Sequence, residues 1–153
     1  MDNNLILKKL RYAFNLEDDQ MIALFGKGDL EVTREQVSNW MKKEDHPEFE
    51  TINDKILATF LNGFIIEKRG KKDDVQPPNE MNLNNNLIFR KLKIALSLRD
   101  TDIVEVFDLV DLDVSKHEIN ALFRNPAQKQ YRECKDQFLR NFIFGLERKF
   151  HVE

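Results

Sequence analysis

The chain contains Asn85-Asn86-Leu87-Ile88, a stretch that repeats its opening Asn3-Asn4-Leu5-Ile6 at an offset of 82 residues. Without a gap, residues 3–67 and 85–149 share 17 identities in 65 pairs, where unrelated sequences would share about four. Self-similarity at one fixed offset indicates an internal duplication. The sequence therefore predicts a first helical repeat over residues 1–68, a linker over 69–83 and a second helical repeat over 84–153.

The composition is typical of a compact, helix-rich protein. Of the 153 residues, 41% are hydrophobic and 33% are charged, with five Gly and four Pro, which argues against disorder. No apolar run approaches the roughly 18 residues of a membrane span, and the first residues lack the pattern of a signal peptide. Cys134 is the single cysteine, which favours a reducing compartment. We therefore expect a cytoplasmic protein without membrane contact.

Helical spacing of apolar residues occurs four times in each copy. We expect the first helix to be capped by its Asn-Asn pair and the second to begin near Asp18 or Asp100. The last helix should begin at Asp54 or Asp136, an aspartate at the same place in both copies and well placed as a cap. The sequence therefore predicts an all-α fold, a tandem duplication of a roughly four-helix unit.

The third helix of each copy has a specific start signal. Thr33-Arg34-Glu35-Gln36 and Ser115-Lys116-His117-Glu118 are capping boxes at equivalent positions, in which the hydroxyl and the Gln or Glu side chain bond each other's backbone amides. A hydrophobic staple accompanies each box, Val32 with Val37 and Val114 with Ile119. Both signals agree in both copies, which fixes where this helix begins.

Two glycines recur inside the last helix, Gly63 and Gly145. Each lowers helix propensity by about 1 kcal/mol relative to Ala. We expect them to mark a close helix–helix crossing where no side chain fits. A ligand that approaches the backbone is the alternative explanation.

A basic cluster recurs on the first helix of each copy. It consists of Lys8, Lys9 and Arg11 in the first copy and of Arg90, Lys91 and Lys93 in the second. These side chains are expected to face outward, and a solvated helix face is the favoured explanation, with a binding site as the alternative.

The residues that carry catalysis or bind metals are sparse in this chain. His46, His117 and His151 are scattered and lack the spacing of zinc ligands. Cys134 corresponds to Ile52 in the first copy, which indicates an apolar position rather than an activated thiolate. No phosphate-binding glycine loop is found. The sequence therefore predicts no metal, no cofactor and no enzyme activity.

The hairpin of the second and third helices is similar to a helix-turn-helix. Residues 32–40 look like the recognition helix that enters the major groove of DNA. However, Ala23 to Val37 spans 14 residues where the motif has about ten, so a plain helical hairpin explains the pattern equally well. The candidate macromolecule-binding residues on this face are Arg34, Asn39, Lys42 and Lys43, with Lys116, Asn120 and Arg124 in the second copy.

The net charge bears on whether the partner is a protein or a nucleic acid. The chain carries a net charge of −3, which disfavours a dedicated nucleic-acid binder without excluding a local basic patch. The first hypothesis is a non-enzymatic interaction module that binds another protein and can form a homodimer. The alternatives are a nucleic-acid-binding regulator that uses the same residues and, third, an enzyme.

The whole chain resembles a YehS-like bacterial family of unknown function. The residues that carry the resemblance in the first copy are Asn3-Asn4-Leu5-Ile6, Asp29-Leu30-Glu31-Val32 and Asp54, Leu57, Phe60 and Gly63. In the second copy they are Asn85-Asn86-Leu87-Ile88, Asp111-Leu112-Asp113-Val114 and residues 131–136. The first copy departs from the pattern at Thr51-Ile52-Asn53, where Glu-Cys is expected before the aspartate. The resemblance implies a tandem all-α protein and transfers no catalytic or binding residue.

Overall fold

The computed structural model describes residues 1–70 and 78–153, and the part of the predicted linker over residues 71–77 lies outside them. Within the described ranges the chain forms eight α-helices and no strand. They are α1 (Asn3–Ala13), α2 (Asp18–Lys27), α3 (Arg34–Met41), α4 (Asp54–Arg69), α5 (Asn85–Ala95), α6 (Asp100–Asp108), α7 (Lys116–Ala121) and α8 (Asp136–Phe150). The all-α duplication is confirmed, with four helices in each copy.

The caps of the first helices lie one residue earlier than predicted. Asp2 caps α1 by accepting from the Leu5 amide at 2.7 Å, and Asn84 caps α5 by accepting from the Leu87 amide at 2.8 Å. The prediction that the Asn-Asn pair supplies the cap is therefore wrong. Both asparagines of each pair lie in the first helical turn, where their side chains serve other contacts.

The second asparagine of each pair binds three backbone groups that are buried or partly buried. Asn4 donates to the carbonyls of Trp40 at 3.1 Å and Glu50 at 2.9 Å, and accepts from the Ile52 amide at 2.9 Å. The same three bonds recur around Asn86, with Leu122 O at 3.0 Å, Arg132 O at 2.9 Å and Cys134 N at 2.8 Å. Because buried polar groups need partners, this asparagine fixes the loop that leads into the last helix.

The aspartates expected as caps are the first helical residues instead. Asn53 caps α4 by accepting from the Ile56 amide at 2.9 Å, whereas Lys135 at the start of α8 makes no side-chain cap bond. Asp54 instead accepts from the Asn3 side chain at 2.8 Å, and Asp136 accepts from Asn85 at 2.7 Å. The prediction is therefore wrong about capping, and each aspartate ties the last helix to the Asn-Asn pair.

The capping boxes of α3 and α7 are confirmed. Gln36 accepts from the Thr33 amide at 2.8 Å while Thr33 Oγ1 accepts from the Gln36 amide at 3.1 Å. In the second copy, the Ser115 amide donates to the Glu118 side chain at 3.4 Å, and the Glu118 amide donates to Ser115 Oγ at 3.1 Å. Ala121, the counterpart of the candidate Asn39, is buried, and α7 packs on α6.

The recurring glycines lie where the last helix crosses the second helix of the same copy. A Cβ at Gly63 would clash with the carbonyl of Leu24, and a Cβ at Gly145 would stand 2.5 Å from the carbonyl of Val106. Backbone therefore meets backbone at the α2–α4 and α6–α8 crossings. The prediction of a close helix crossing is confirmed.

The two copies exchange helix partners and share one core. The first helix of each copy packs mainly on the last helix of the other, α1 on α8 and α5 on α4, and only weakly on the last helix of its own copy. The Phe14 ring contacts Phe64 in its own copy at 4.9 Å and Phe150 in the other at 5.3 Å between ring centres. Buried residues of both copies accordingly form a single cluster.

Candidate functional site

Arg34, the first of the candidate binding residues, is occupied within its own copy. Its guanidinium lies 3.4 Å from an oxygen of Asp18 and makes a short contact with Asp19. Asp18 also accepts from Arg11 at 2.7 Å. Arg34 thus links α3 to the start of α2, so it would have to leave two carboxylates to reach a phosphate.

Lys42 is also engaged in local contacts. Its ammonium donates to Ser38 at 3.1 Å and to Asn39 at 2.9 Å, and lies 3.7 Å from the Glu48 carboxylate. Lys43 is exposed in the loop that follows. The structure brings Asn39 and Lys42 together, but in a bond to each other.

The candidate binding residues of the second copy differ from Arg34 and Lys42 in their contacts. Lys116 and Asn120 are exposed and Arg124 is half-buried, and their side chains make no hydrogen bond or ion pair with the described residues. They remain available to a partner. The helix contacts do not bring them to the first-copy candidates, because α3 packs on α2 and α1 whereas α7 packs on α6.

The charge around α3 is acidic. Between residues 29 and 48 the chain carries six carboxylates against three Lys and Arg, while the equivalent residues 111–130 carry three against three. A phosphate backbone approaching α3 would therefore meet net repulsion. Around α7 the charges balance.

A second feature of the surface comes from the end of the linker. Asn79 donates to the carbonyl of Gly28 at 2.8 Å and accepts from Asn62 at 3.0 Å. The Leu83 amide then donates to Asp54 at 2.8 Å. Residues 78–83 thus lie along α4 and the end of α2, where they cover Asn62, which is 1% exposed. We name Gly28, Asn62 and Lys91 the linker seat.

Lys91 lies in the linker seat rather than on an outward face. Its ammonium donates to Asn62 at 2.6 Å and pairs with Glu80 at 2.8 Å. Burial alone would raise the pKa of Glu80, but the hydrogen bond from Lys91, its backbone bond and the nearby positive charge hold that pKa below its ordinary value. The prediction that Lys91 faces outward is therefore wrong, because the linker and α4 enclose it.

The equivalent positions of the second copy are uncovered. Phe144 stands in place of Asn62 and is 42% exposed, and Leu109 at the end of α6 is 46% exposed. The Arg148 guanidinium lies 5.3 Å from the centre of the Phe144 ring. Lys9, the counterpart of Lys91, is half-buried and makes no hydrogen bond or ion pair with the described residues. We name Lys9, Val110 and Phe144, the counterparts of the three linker-seat residues, together with the neighbouring Leu109 and Arg148, the open face.

The open face was missed in the sequence, although a signal was available. Phe144 is an aromatic residue outside the apolar stripe of α8, and it replaces an asparagine of the first copy. An exposed aromatic at such a position is informative only when the repeat partner is known to be buried. That comparison requires the structure of the linker.

Cys134 has the environment of a core residue. It is 2% exposed, and burial, followed by the charges of Asp136 and Glu133, raises its pKa to about 12. The thiolate, which is the reactive form of a cysteine, is therefore scarce at neutral pH. A cleft of about 390 Å³ lies beside it, lined by Asn84, Asn86 and Tyr131 among others, but both side-chain N–H groups of Asn86 already donate to backbone carbonyls.

Residues 1–70 and 78–153 contain neither a candidate metal site nor a candidate membrane-spanning helix. No three His, Cys, Asp or Glu side chains come together in an arrangement that could hold a metal ion. No helix in these ranges is both long and apolar enough to traverse a lipid bilayer.

Comparison with known proteins places the duplication in a family. Residues 3–70 and 85–150 match the family described as a protein of unknown function, DUF1456. The chain belongs to this family. It is 40% identical to the uncharacterized protein YehS of Escherichia coli (strain K12) over 156 residues, which cover 100% of this chain and 99% of that protein. No solved structure matches it. The resemblance to the YehS-like family is confirmed, and the two matched segments are the two copies in this structure.

Proposed function

We propose that this protein is a non-enzymatic interaction module that binds another protein in the cytoplasm through the open face. The observation that carries the proposal is the exposure of Phe144 at a position where the first copy buries its residue beneath the linker. Phe144 presents a ring that is 42% exposed beside the Arg148 guanidinium. Arg and aromatic side chains are also enriched among the residues that dominate binding energy.

The absence of enzyme activity is part of the same proposal. Support comes from Cys134, whose thiol is buried and has a raised pKa. The groups whose pKa values are lowered, such as Asp54, are held by structural hydrogen bonds from Asn3 and Leu83. Perturbed groups that cluster in a cleft would instead favour catalysis.

The test is affinity capture from a bacterial lysate with the full chain as bait. Phe144→Asn installs the residue of the first copy, and Ile94→Asn is the matched control because Ile94 is equally exposed, at 41%. We expect Phe144→Asn to lose a specific protein that Ile94→Asn and the unsubstituted chain retain, with or without nuclease. Identical capture by both variants would contradict the proposal.

Nucleic-acid binding through α7 is the second candidate. The observation that favours it is that Lys116, Asn120 and Arg124 make no hydrogen bond or ion pair with the described residues, whereas Arg34 is tied to two carboxylates. Phosphate contacts release counterions, so such binding must weaken steeply with added salt. Lys116→Glu with Arg124→Glu should abolish it, and no retardation of mixed DNA and RNA at low salt would eliminate this candidate.

A further inference from the structure

The hydrogen bonds next to the linker seat in the first copy recur next to the open face in the second. The Leu83 amide donates to Asp54 at 2.8 Å, and the Met1 amine, at the equivalent position, donates to Asp136 at 2.8 Å. Both aspartates also accept from the first asparagine of the pair. Because α4 packs on α5 as α8 packs on α1, the seat and the open face are equivalent sites on one pseudo-symmetric molecule.

One of these equivalent sites holds an extended acidic segment. Residues 78–80 run across Gly28 and Asn62, and Glu80 completes an ion pair with Lys91 at 2.8 Å. The other site retains the cation, since Lys9 occupies the place of Lys91, but its ammonium makes no ion pair with the described residues. A carboxylate is therefore the group that the open face lacks.

The differences between the two sites define the rest of the partner. In the first copy Asn62 donates to Asn79, but Phe144 stands at the place of Asn62 in the second copy. An amide side chain of the partner would therefore find no hydrogen-bond donor at this position. An apolar side chain would instead cover a ring that is 42% exposed and would gain free energy from the apolar area buried. The chemistry that fits is an apolar residue followed directly by Glu or Asp in an extended segment.

We propose that the open face binds an extended segment of a partner protein in which an apolar side chain covers Phe144 and the next residue, an Asp or Glu, pairs with Lys9. This proposal rests on the proposed function and names the chemistry of the partner. The segment lies on the second copy as residues 78–81 lie on the first.

The test uses a segment attached to the full chain. Because Met1 occupies the place of Leu83, a segment joined ahead of Met1 can enter the open face along the path that residues 78–82 take on the first copy. The acidic graft has the sequence of residues 78–82 with Asn79→Leu, and the control graft carries Glu80→Lys in addition. Tethering raises the effective concentration to the millimolar range, so that even a weak contact is populated.

We expect the acidic graft to have a Tm about 2–4 °C above that of the control graft, as one added ion pair with its packing would give in a chain of this size. Lys9→Glu in the chain should reverse the order of the two grafts. Equal Tm values for both grafts in both backgrounds would overturn the proposal. A dimer of the ungrafted chain that Phe144→Asn dissociates in sedimentation would also overturn it, because a second copy would then be the occupant.

The outcomes separate this proposal from the proposed function. If capture from the lysate depends on Phe144 but the grafts show no dependence on charge, the face binds a protein of other chemistry. If neither experiment depends on Phe144 or Lys9, both proposals fail.

Discussion

The Lys91 ammonium donates to the Asn62 side chain across the α4–α5 contact at 2.6 Å. At the equivalent α8–α1 contact the same two positions hold Phe144 and Lys9, and no such bond exists. The duplication has thus produced one polar, covered site and one apolar, uncovered site.

Lys91→Ala should lower the free energy of unfolding by about 1–3 kcal/mol, because it leaves Asn62 and Glu80 without their buried partner. Lys9→Ala, at the equivalent position, should change it by less than about 0.5 kcal/mol. Urea denaturation followed by the fluorescence of Trp40, the single tryptophan, measures both. Equal losses would mean that the linker seat does not differ energetically from the open face.

The Glu80–Lys91 pair should make stability depend on pH. Since the pKa of Glu80 in the folded protein is below the ordinary value of 4.5, its contribution is fully present above pH 4.5 and is lost as the pH falls through the lower folded value. Glu80→Gln should flatten the pH dependence of unfolding in that acidic window and leave it unchanged near pH 7. An unaltered acid profile would show that the pair is not formed in solution.

Asn4→Ala should destabilise the protein by about 2–4 kcal/mol, because the carbonyls of Trp40 and Glu50 and the amide of Ile52 lose their shared partner. Asn86→Ala should cost a similar amount, since it makes the same three bonds in the other copy. Calorimetric unfolding should show a single transition for both variants. Two separate transitions would contradict a shared core.

The recurring Asn-Asn pair illustrates how far the sequence could lead. Repetition identified Asn4 and Asn86 as important, but a capping role was the only local explanation available. Their true partners lie 36 to 48 residues away, and spacing within one helix carries no information about such distant backbone groups. The capping boxes of α3 and α7 were predictable because all their atoms lie within four consecutive residues.

Gly63→Ala should destabilise the protein even though Ala is the better helix former, because a Cβ there would clash with the carbonyl of Leu24. Gly26→Ala is the matched control, since Gly26 also lies within a helix but has nothing within 4 Å of its added Cβ. We expect Gly26→Ala to stabilise by about 0.5–1 kcal/mol. Thermal unfolding of both variants measures whether Tm falls for Gly63→Ala and rises for Gly26→Ala. A rise in Tm for Gly63→Ala would contradict the backbone-to-backbone crossing.

The candidate site was less predictable than the fold. Arg34 and Lys42 were expected on the solvent-exposed side of α3, yet Asp18, Asp19 and Glu48 bind them. Lys91 was expected in a solvated basic cluster, yet Asn62 and Glu80 bind it. In both cases the partners lie outside the helix that carries the cation, and the periodicity of one helix does not encode such contacts.

The central claim is that the first copy covers a site that the second leaves open, and thiol labelling of the full chain tests it most directly. Cys134 is buried with a pKa of about 12, so it contributes little background to labelling by a disulfide reagent. We expect the thiol introduced by Phe144→Cys to react more than about tenfold faster than the thiol introduced by Asn62→Cys, because accessibility governs the rate. Equal rates at the two positions would contradict the claim.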